Sequence, residues 1–258
     1  MSNRPSWSIS PLGLIPGWFS AWFFSFWFQA GSGWEIFMAG TLLLVQFVLL
    51  YAGAARWSTD DRGEFFRGIF IGLSAGINAY LLWVLTDWTY LSIGIAAFLS
   101  ASAFLRLSRH APYQAVLGWL NWWLPLSWPV NLPGALMCLA NWLFVPLGFV
   151  HPLFRPLRMQ VHLDLHSGSL TCYGGLIRPI KGFSGLNMGN FIFINPGFEH
   201  LRRHEIGHLF SLAAMGAAFH YIGGVDEAML QENYWEAYAE HLADSYSNPT
   251  PWVHSVWG

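Results

Sequence analysis

The sequence predicts a helical membrane protein that carries a small α+β domain at its C-terminal end. Hydrophobic residues make up 54% of the 258 residues and charged residues only 10%, against roughly 25% charged residues in soluble proteins. So few charges cannot cover the surface of a water-soluble globule, and disordered, collagen-like and disulfide-rich secreted chains are excluded as well. The net charge of −2 and the lack of a basic tract argue against a nucleic-acid partner. The partner that the composition predicts is the lipid bilayer.

Apolar stretches long enough, or nearly long enough, to cross a membrane lie before residue 152. A helix needs about 20 residues to cross the hydrocarbon core. The fifth stretch is short and contains Pro125 and Pro129, so it forms with the sixth either two spans or a helical hairpin. We therefore expect four spans plus a hairpin, or six spans, in a transmembrane domain over 1–152, followed by a second domain over 153–258. The six stretches are 11–30, 35–55, 67–86, 90–105, 113–128 and 132–150.

Basic residues near the ends of these stretches predict the orientation of the chain. If the N-terminus is placed on one side, eight arginines fall on that side and the opposite turns contain none. Such an excess marks the cytoplasmic side of a membrane. We therefore expect an integral protein of the bacterial inner membrane with cytoplasmic N- and C-termini. The eight are Arg4, Arg56, Arg62, Arg67, Arg106, Arg109, Arg155 and Arg158.

Isolated polar side chains and the two cysteines within this pattern favour structural roles. Polar groups at membrane depth can mark a transport pathway, but hydrogen bonding between helices is the commoner role, and small residues beside them favour close packing. Cys138 lies in an apolar run and Cys172 in a polar region, so we expect no disulfide. The polar side chains in question are Gln46, Asn78, Asn121 and Asn141.

The C-terminal region changes from apolar runs to alternating and then helical patterns. Polar and apolar residues alternate over 160–165 and over 170–173, which predicts a β-hairpin. A further short strand is expected at 191–194. After it, composition and length predict one helix over 198–221, ended by Gly223 and Gly224, and another over about 227–246.

A motif of the form H-E-x-x-H lies on the first of these helices, at His204-Glu205-Ile206-Gly207-His208. The i, i+4 spacing puts both imidazoles on one helix face, where they can bind one Zn²⁺. Glu205 follows the first ligand directly, so its carboxylate can act as general base toward water at the metal. The motif therefore predicts zinc as cofactor, with His204 and His208 as ligands and Glu205 as the catalytic residue.

A catalytic zinc site needs a third protein ligand, and the last helix offers three acids. Glu236, Glu240 and Asp244 are spaced i, i+4 and i+8, so they lie on one helix face. Such a face can supply a carboxylate ligand together with an acid that orients a ligating histidine. A solvated acidic face is the competing interpretation, but H-E-x-x-H in a chain so poor in acids favours the ligand interpretation.

The pair H-E-I-G-H and E-H-L-A-D resembles the H-E-x-x-H … E-x-x-A-D arrangement of gluzincin peptidases, which include membrane-embedded CAAX prenyl proteases and heat-shock membrane peptidases. The resemblance implies a zincin-like fold for the C-terminal domain, Glu240 as third zinc ligand and Asp244 as an orienting acid. Glu236 is the alternative ligand, because Glu236-x-x-x-Glu240 fits a looser version of the pattern. The separation between His208 and Glu240 is shorter than in the prenyl proteases. The stretch 165–244 is also similar to a group of poorly characterised bacterial membrane proteins with an H-E-[IL]-G-H domain.

Other residues near the motif have less specific interpretations. His200 is expected to face solvent, and His162 and His166 to belong to the hairpin. A histidine or tyrosine near the site can donate a hydrogen bond to the oxyanion of peptide hydrolysis. By analogy with zinc peptidases, the backbone of strand 191–194 is expected to bind extended substrate at a sheet edge. The oxyanion candidates are His220, Tyr221, Tyr234, Tyr238 and His241.

Two functions compete at this stage. The leading one is a membrane-anchored zinc metalloendopeptidase that hydrolyses a membrane protein or a peptide near the cytoplasmic membrane face. The alternative is a non-catalytic subunit of a larger membrane complex, in which the aromatic spans pack against other subunits. An intramembrane protease ranks third, because Arg202 and Arg203 adjoin the motif and are costly to bury in lipid.

Overall fold

The computed structural model describes residues 9–104, 110–150, 159–177, 184–230, 234–244, 246 and 252–253. Over these residues the protein is mostly helical and contains a small mixed sheet, as the composition predicts. The helices are α1 (Leu14–Ala30), α2 (Gly33–Arg56), α3 (Asp61–Thr86), α4 (Thr89–Ser100), α5 (Ala111–Leu120), α6 (Trp128–Val150), α7 (Arg202–Leu230) and α8 (Tyr234–Asp244). The strands are β1 (Met159–Asp164), β2 (Ser169–Gly174), β3 (Gly185–Met188), β4 (Phe191–Ile194) and β5 (Trp252–Val253).

The chain divides into two compact units that are not continuous in sequence. Unit 1 comprises 1–110, 124–126 and 214–238, and unit 2 comprises 111–123, 127–213 and 239–258. Helices α5 and α6, which precede residue 152, lie in unit 2 together with the strands. The residues of α7 and α8 are divided between the two units.

The lengths of the helices before residue 152 only partly match the lengths of the predicted spans. Among the residues that the structure describes, three helical segments are long and apolar enough to cross a membrane: Gly33–Arg56, Asp61–Thr86 and Glu199–Met229. The first two are the predicted second and third spans, whereas α1 has 17 residues and α4 has 12. The third segment, which carries the H-E-x-x-H motif, is not among the predicted spans. Its apolar window is 83% buried inside the protein.

Unit 1 is built on close contact between α1 and α3, which glycines permit. A Cβ added at Gly17 would lie 2.4 Å from the carbonyl oxygen of Ile69, and one at Gly72 would lie 2.7 Å from that of Leu14. This agrees with the small-residue packing that the sequence predicts. Between α1 and α2, the hydroxyl of Ser20 donates a hydrogen bond of 2.7 Å to Gln46. Gln46 therefore has the interhelical bonding role expected for it.

The second half of α7 belongs to unit 1 and is joined to its helices by buried polar contacts. Ser74 donates to the carbonyl oxygen of Met215, and Tyr51 donates a 2.7 Å hydrogen bond to the Asp226 carboxylate. The predicted stop at Gly223-Gly224 is wrong, because α7 continues to Leu230. Gly223 is needed for close packing, since a Cβ there would lie 2.3 Å from Cγ of Trp235. The interruption of α7 lies at Gly216, with φ 80° and ψ 175°.

Unit 2 contains a five-stranded sheet in the order β3-β4-β2-β1-β5. Strands β1 and β2 form the predicted antiparallel hairpin, β4 runs parallel to β2, and β3 pairs antiparallel with β4. Cys172 belongs to the hydrophobic core beneath this sheet, with Met159, Ile177, Phe191 and Phe193. Both cysteines are free thiols, as expected, with the two Sγ atoms 3.7 Å apart.

Asparagines fix the turn between β3 and β4 within unit 2. Asn190 accepts a hydrogen bond from Asn121 Nδ2 at 2.9 Å and donates to the carbonyl oxygens of Gly118 and Gly168. Its backbone N–H donates to Asn131. Asn121, read from the sequence as a polar residue in a span, thus bonds to the turn of a β-hairpin. Hydrogen bonds between buried amides of this kind favour one packing arrangement.

Candidate metal centre

The H-E-x-x-H segment lies in the first turns of α7, where a glycine brings α7 and α8 together. A Cβ added at Gly207 would lie 2.0 Å from the carbonyl oxygen of Ala239. The backbones of the two helices are therefore in direct contact at this point. The second variable position of the motif is a glycine for this reason, and the contact fixes the register between the helices.

The two histidines of the motif point their Nε2 atoms at each other. The distance between Nε2 of His204 and Nε2 of His208 is 3.1 Å. Two nitrogen ligands of a tetrahedral zinc ion, each about 2.0–2.1 Å from the metal, lie roughly 3.3 Å apart. The pair is therefore spaced as two ligands of one zinc ion are. His208 is 1% exposed, so its side chain is held within the protein.

Glu240 contacts His204 from the side opposite to His208. Its Oε2 lies 2.9 Å from Nδ1 of His204 and accepts a hydrogen bond when Nδ1 carries the proton. Metal-bound histidines commonly donate their second N–H to a carboxylate in this way, which fixes the tautomer and the ring orientation. The Glu240 side chain is 62% exposed. The resemblance implies that Glu240 is the third ligand, whereas this contact is typical of an orienting acid.

Two imidazoles and one carboxylate are a donor set of catalytic zinc sites. His204 and His208 supply the imidazoles, and α8 carries the acids. The residues therefore fit the metal. Because Glu240 is in the position of an orienting acid, Glu236, one turn before it on the same helix face, is the alternative third ligand that the sequence offers.

Asp244, the expected orienting acid, lies one turn further along α8. Its Oδ1 is 3.8 Å from Nη2 of Arg203, and both side chains are nearly half exposed. The Nε–H of Arg203 also donates to the carbonyl oxygen of Ala243 at 2.7 Å. These contacts attach the end of α8 to the start of α7, next to the histidine pair.

Glu205, the candidate general base, is 6% exposed and lies against β3. A Cβ added at Gly185 would be 2.4 Å from Oε1 of Glu205, and Asn187 Nδ2 donates a 2.8 Å hydrogen bond to the backbone carbonyl of Glu205. Sequence analysis missed both Gly185 and Asn187. The N-M-G-N turn that Asn187 begins is the only sequence signal that points to them.

The edge-strand prediction for 191–194 is wrong, because β4 is paired on both sides, with β2 and with β3. Within the described residues, β3 is the outermost strand on this side of the sheet. Strand β3 also holds Gly185, next to the Glu205 carboxylate. The position that sequence analysis gives to β4 is therefore occupied by β3.

The remaining candidates lie in different surroundings. His220 is 6% exposed and packs edge-on against Trp235 at 5.0 Å between ring centroids. Tyr234 and Tyr238 are buried as well. The imidazoles of His162 and His200 line a cavity with Arg202 instead of the metal group. None of these contacts assigns an oxyanion donor.

No family model matches this chain, and no curated protein or solved structure matches it either.

Gly207→Ala is expected to separate α7 from α8, because the added methyl group has no room between them. The variant is expected to lose about 1–3 kcal/mol in the free energy of unfolding and to bind zinc at least tenfold more weakly. Gly224→Ala is the matched control, since a Cβ at Gly224 of the same helix meets nothing within 4 Å. Zinc titration and thermal unfolding of the purified proteins measure both effects. Equal zinc affinity in the two variants would refute the role given to Gly207.

Proposed function

We propose that this chain is a membrane-anchored zinc metallopeptidase, with His204, His208 and Glu236 as metal ligands. The observation that carries the proposal is the pair of histidine Nε2 atoms 3.1 Å apart, with Glu240 on Nδ1 of His204. Glu240 thus orients His204, and the third ligand is assigned to Glu236, one turn before it on the same face of α8. The buried Glu205 beside the outermost strand adds the base that hydrolysis requires. We further propose that the site faces the cytoplasm at the bacterial inner membrane, as the arginine distribution predicts.

The chemistry follows from the positions of these side chains. A zinc ion held there would lower the pKa of a water molecule toward 7 and polarise the peptide carbonyl. Glu205 accepts the proton of the attacking water and delivers it to the leaving amine. Glu240 keeps His204 in the tautomer that directs Nε2 toward His208. Strand β3 binds the extended backbone of the substrate, which places a peptide bond beside Glu205.

The long apolar helices support the proposal that the substrate lies near the bilayer. Helices α2 and α3 are long and apolar enough to span a membrane. A protein anchored by them acts on membrane proteins or on peptides close to the surface. We therefore propose that the natural substrate is a segment of a membrane protein.

The test compares wild type with Glu205→Gln, each purified in detergent. We expect about one zinc per chain in both proteins, because Glu205 is not a ligand. We expect cleavage of an unstructured protein substrate by wild type and a loss of about 10²–10⁴-fold in Glu205→Gln, the usual contribution of a general base. Mass spectrometry of the products measures cleavage.

Two outcomes would contradict the proposal. Wild-type protein that binds no zinc when metal is supplied would exclude the metal site. A zinc-loaded wild type no more active than Glu205→Gln on soluble and membrane-embedded substrates would favour a non-catalytic subunit of a membrane complex.

A further inference from the structure

A polar cavity lies between the sheet and the start of α7, lined by other residues than those of the metal group. Its volume is about 560 Å³, within the range of small-molecule sites. Gln160, His162 and Tyr173 line it from the sheet, and Arg202 and Arg203 line it from α7. Arg202 precedes His204 by two residues, which is about 200° around a helix. The cavity is therefore separate from the metal centre, although both use the first turns of α7.

Arg202 places a buried positive charge at this cavity. Its side chain is 9% exposed, and its Nη2 lies 3.1 Å from Oδ2 of Asp164. Asp164 is shared with other donors, since it also accepts from the hydroxyls of Ser167 and Tyr246 and from the backbone N–H of His166. The Nε–H of Arg202 makes no hydrogen bond within the described residues. A guanidinium with unused donor capacity is suited to an anionic ligand.

The charge of Arg202 acts on the sheet residues of the cavity. Burial lowers the pKa of His162, and the positive charge of Arg202 lowers it further. Burial raises the pKa of Tyr173, and Arg202 opposes that rise. Nε2 of His162 is buried and makes no hydrogen bond within the described residues. An imidazole carries at least one N–H, so His162 can donate a hydrogen bond to a ligand.

The acidic side chain among the lining residues, Glu199, is exposed to solvent, in contrast to the buried Arg202. Glu199 accepts a 2.9 Å hydrogen bond from the backbone N–H of Gly197, and this bond is the first cause of its lowered pKa. Arg203, the second guanidinium, donates to the backbone of Ala243 and lies near Asp244. Arg202 is thus the buried cation among the residues that line the cavity.

We propose that this cavity binds a phosphate ester, with the phosphate at Arg202 and His162 and with Gln160 and the Tyr173 hydroxyl as further polar contacts. A phosphate presents three acceptor oxygens, enough to contact donors from both the sheet and α7. The ester is either a soluble metabolite or the headgroup of an acidic phospholipid, and binding experiments with the two probes distinguish these sources. The proposal does not depend on peptidase activity.

The experiment uses the full chain with its zinc content measured in every sample. Binding of glycerol 3-phosphate is measured by calorimetry in detergent, and binding to phosphatidylglycerol vesicles is compared with binding to phosphatidylcholine vesicles. His162→Glu places a negative charge inside the cavity. Leu165→Glu places the same charge on a neighbouring side chain that is 44% exposed, outside the residues that line the cavity.

We expect wild type to bind the ester saturably. Binding is expected to weaken at least tenfold in His162→Glu but less than about twofold in Leu165→Glu, because only a close, desolvated charge lowers the affinity for an anion strongly. Tyr173→Phe, which removes only a hydroxyl, is expected to weaken binding a few-fold and replaces His162→Glu if that variant does not fold. Response to glycerol 3-phosphate identifies a soluble ester, and response only to phosphatidylglycerol identifies a lipid headgroup. No saturable response to either probe, or equal loss in the two glutamate variants, would overturn the proposal.

Discussion

Glu236→Ala is expected to lower zinc affinity by about 10³-fold. A zinc site of three protein ligands has a binding free energy of roughly 10–16 kcal/mol, and removal of one ligand costs about a third of that free energy. Glu240→Ala is expected to cost only about 10–100-fold, the usual effect of an orienting carboxylate. Asp244→Ala is expected to change the affinity little, because this exposed side chain pairs with Arg203. Competition with a chromophoric chelator measures all three affinities.

This series distinguishes the two assignments of the ligands. The three acids lie one turn apart on the same helix, so each variant removes one carboxylate from an equivalent helical setting. If Glu240 were the ligand, as the resemblance implies, the largest loss would appear in Glu240→Ala and the next largest in Asp244→Ala. That order would contradict the assignment of Glu236 as the third ligand.

Asp164→Ala is expected to lower the free energy of unfolding by about 3–5 kcal/mol, because the variant leaves the buried Arg202 guanidinium without its ion-pair partner. Asp164 is 2% exposed, and it joins the β1–β2 turn to Arg202 of α7 and to Tyr246. Loss of this carboxylate therefore removes several contacts at once. Denaturant or thermal unfolding in detergent at one fixed pH measures the change.

Asp244→Ala again supplies the control. Asp244 and Arg203 form the neighbouring ion pair, with side chains 44% and 48% exposed. Such exposed pairs contribute about 0–1 kcal/mol. Asp164→Leu combined with Arg202→Met is expected to recover part of the stability, because no unpaired charge remains. Similar losses in Asp164→Ala and Asp244→Ala would show that the buried pair does not hold α7 in place.

Local patterns in the sequence were sufficient for features that depend on neighbours along the chain. The i, i+4 spacing of His204 and His208 predicts two imidazoles on one helix face, and their Nε2 atoms lie 3.1 Å apart. Alternating polarity predicts the β1–β2 hairpin with its antiparallel register. The low charge content predicts apolar helices of spanning length, and α2 and α3 are two of them.

Only the tertiary structure decides which of several similar residues or strands lies at a given position, such as beside the histidines or at the edge of the sheet. Glu236, Glu240 and Asp244 have the same spacing and face, and it is the folded protein, with Gly207 against Ala239, that places Glu240 beside His204. The same holds for the sheet, where both β3 and β4 are short strands but β4 lies between two partners. Helical and strand periodicity arise from hydrogen bonds between residues a few positions apart, and they can be read from the sequence. The register between elements is set by close packing of residues far apart in the chain, and it exists only in the folded protein.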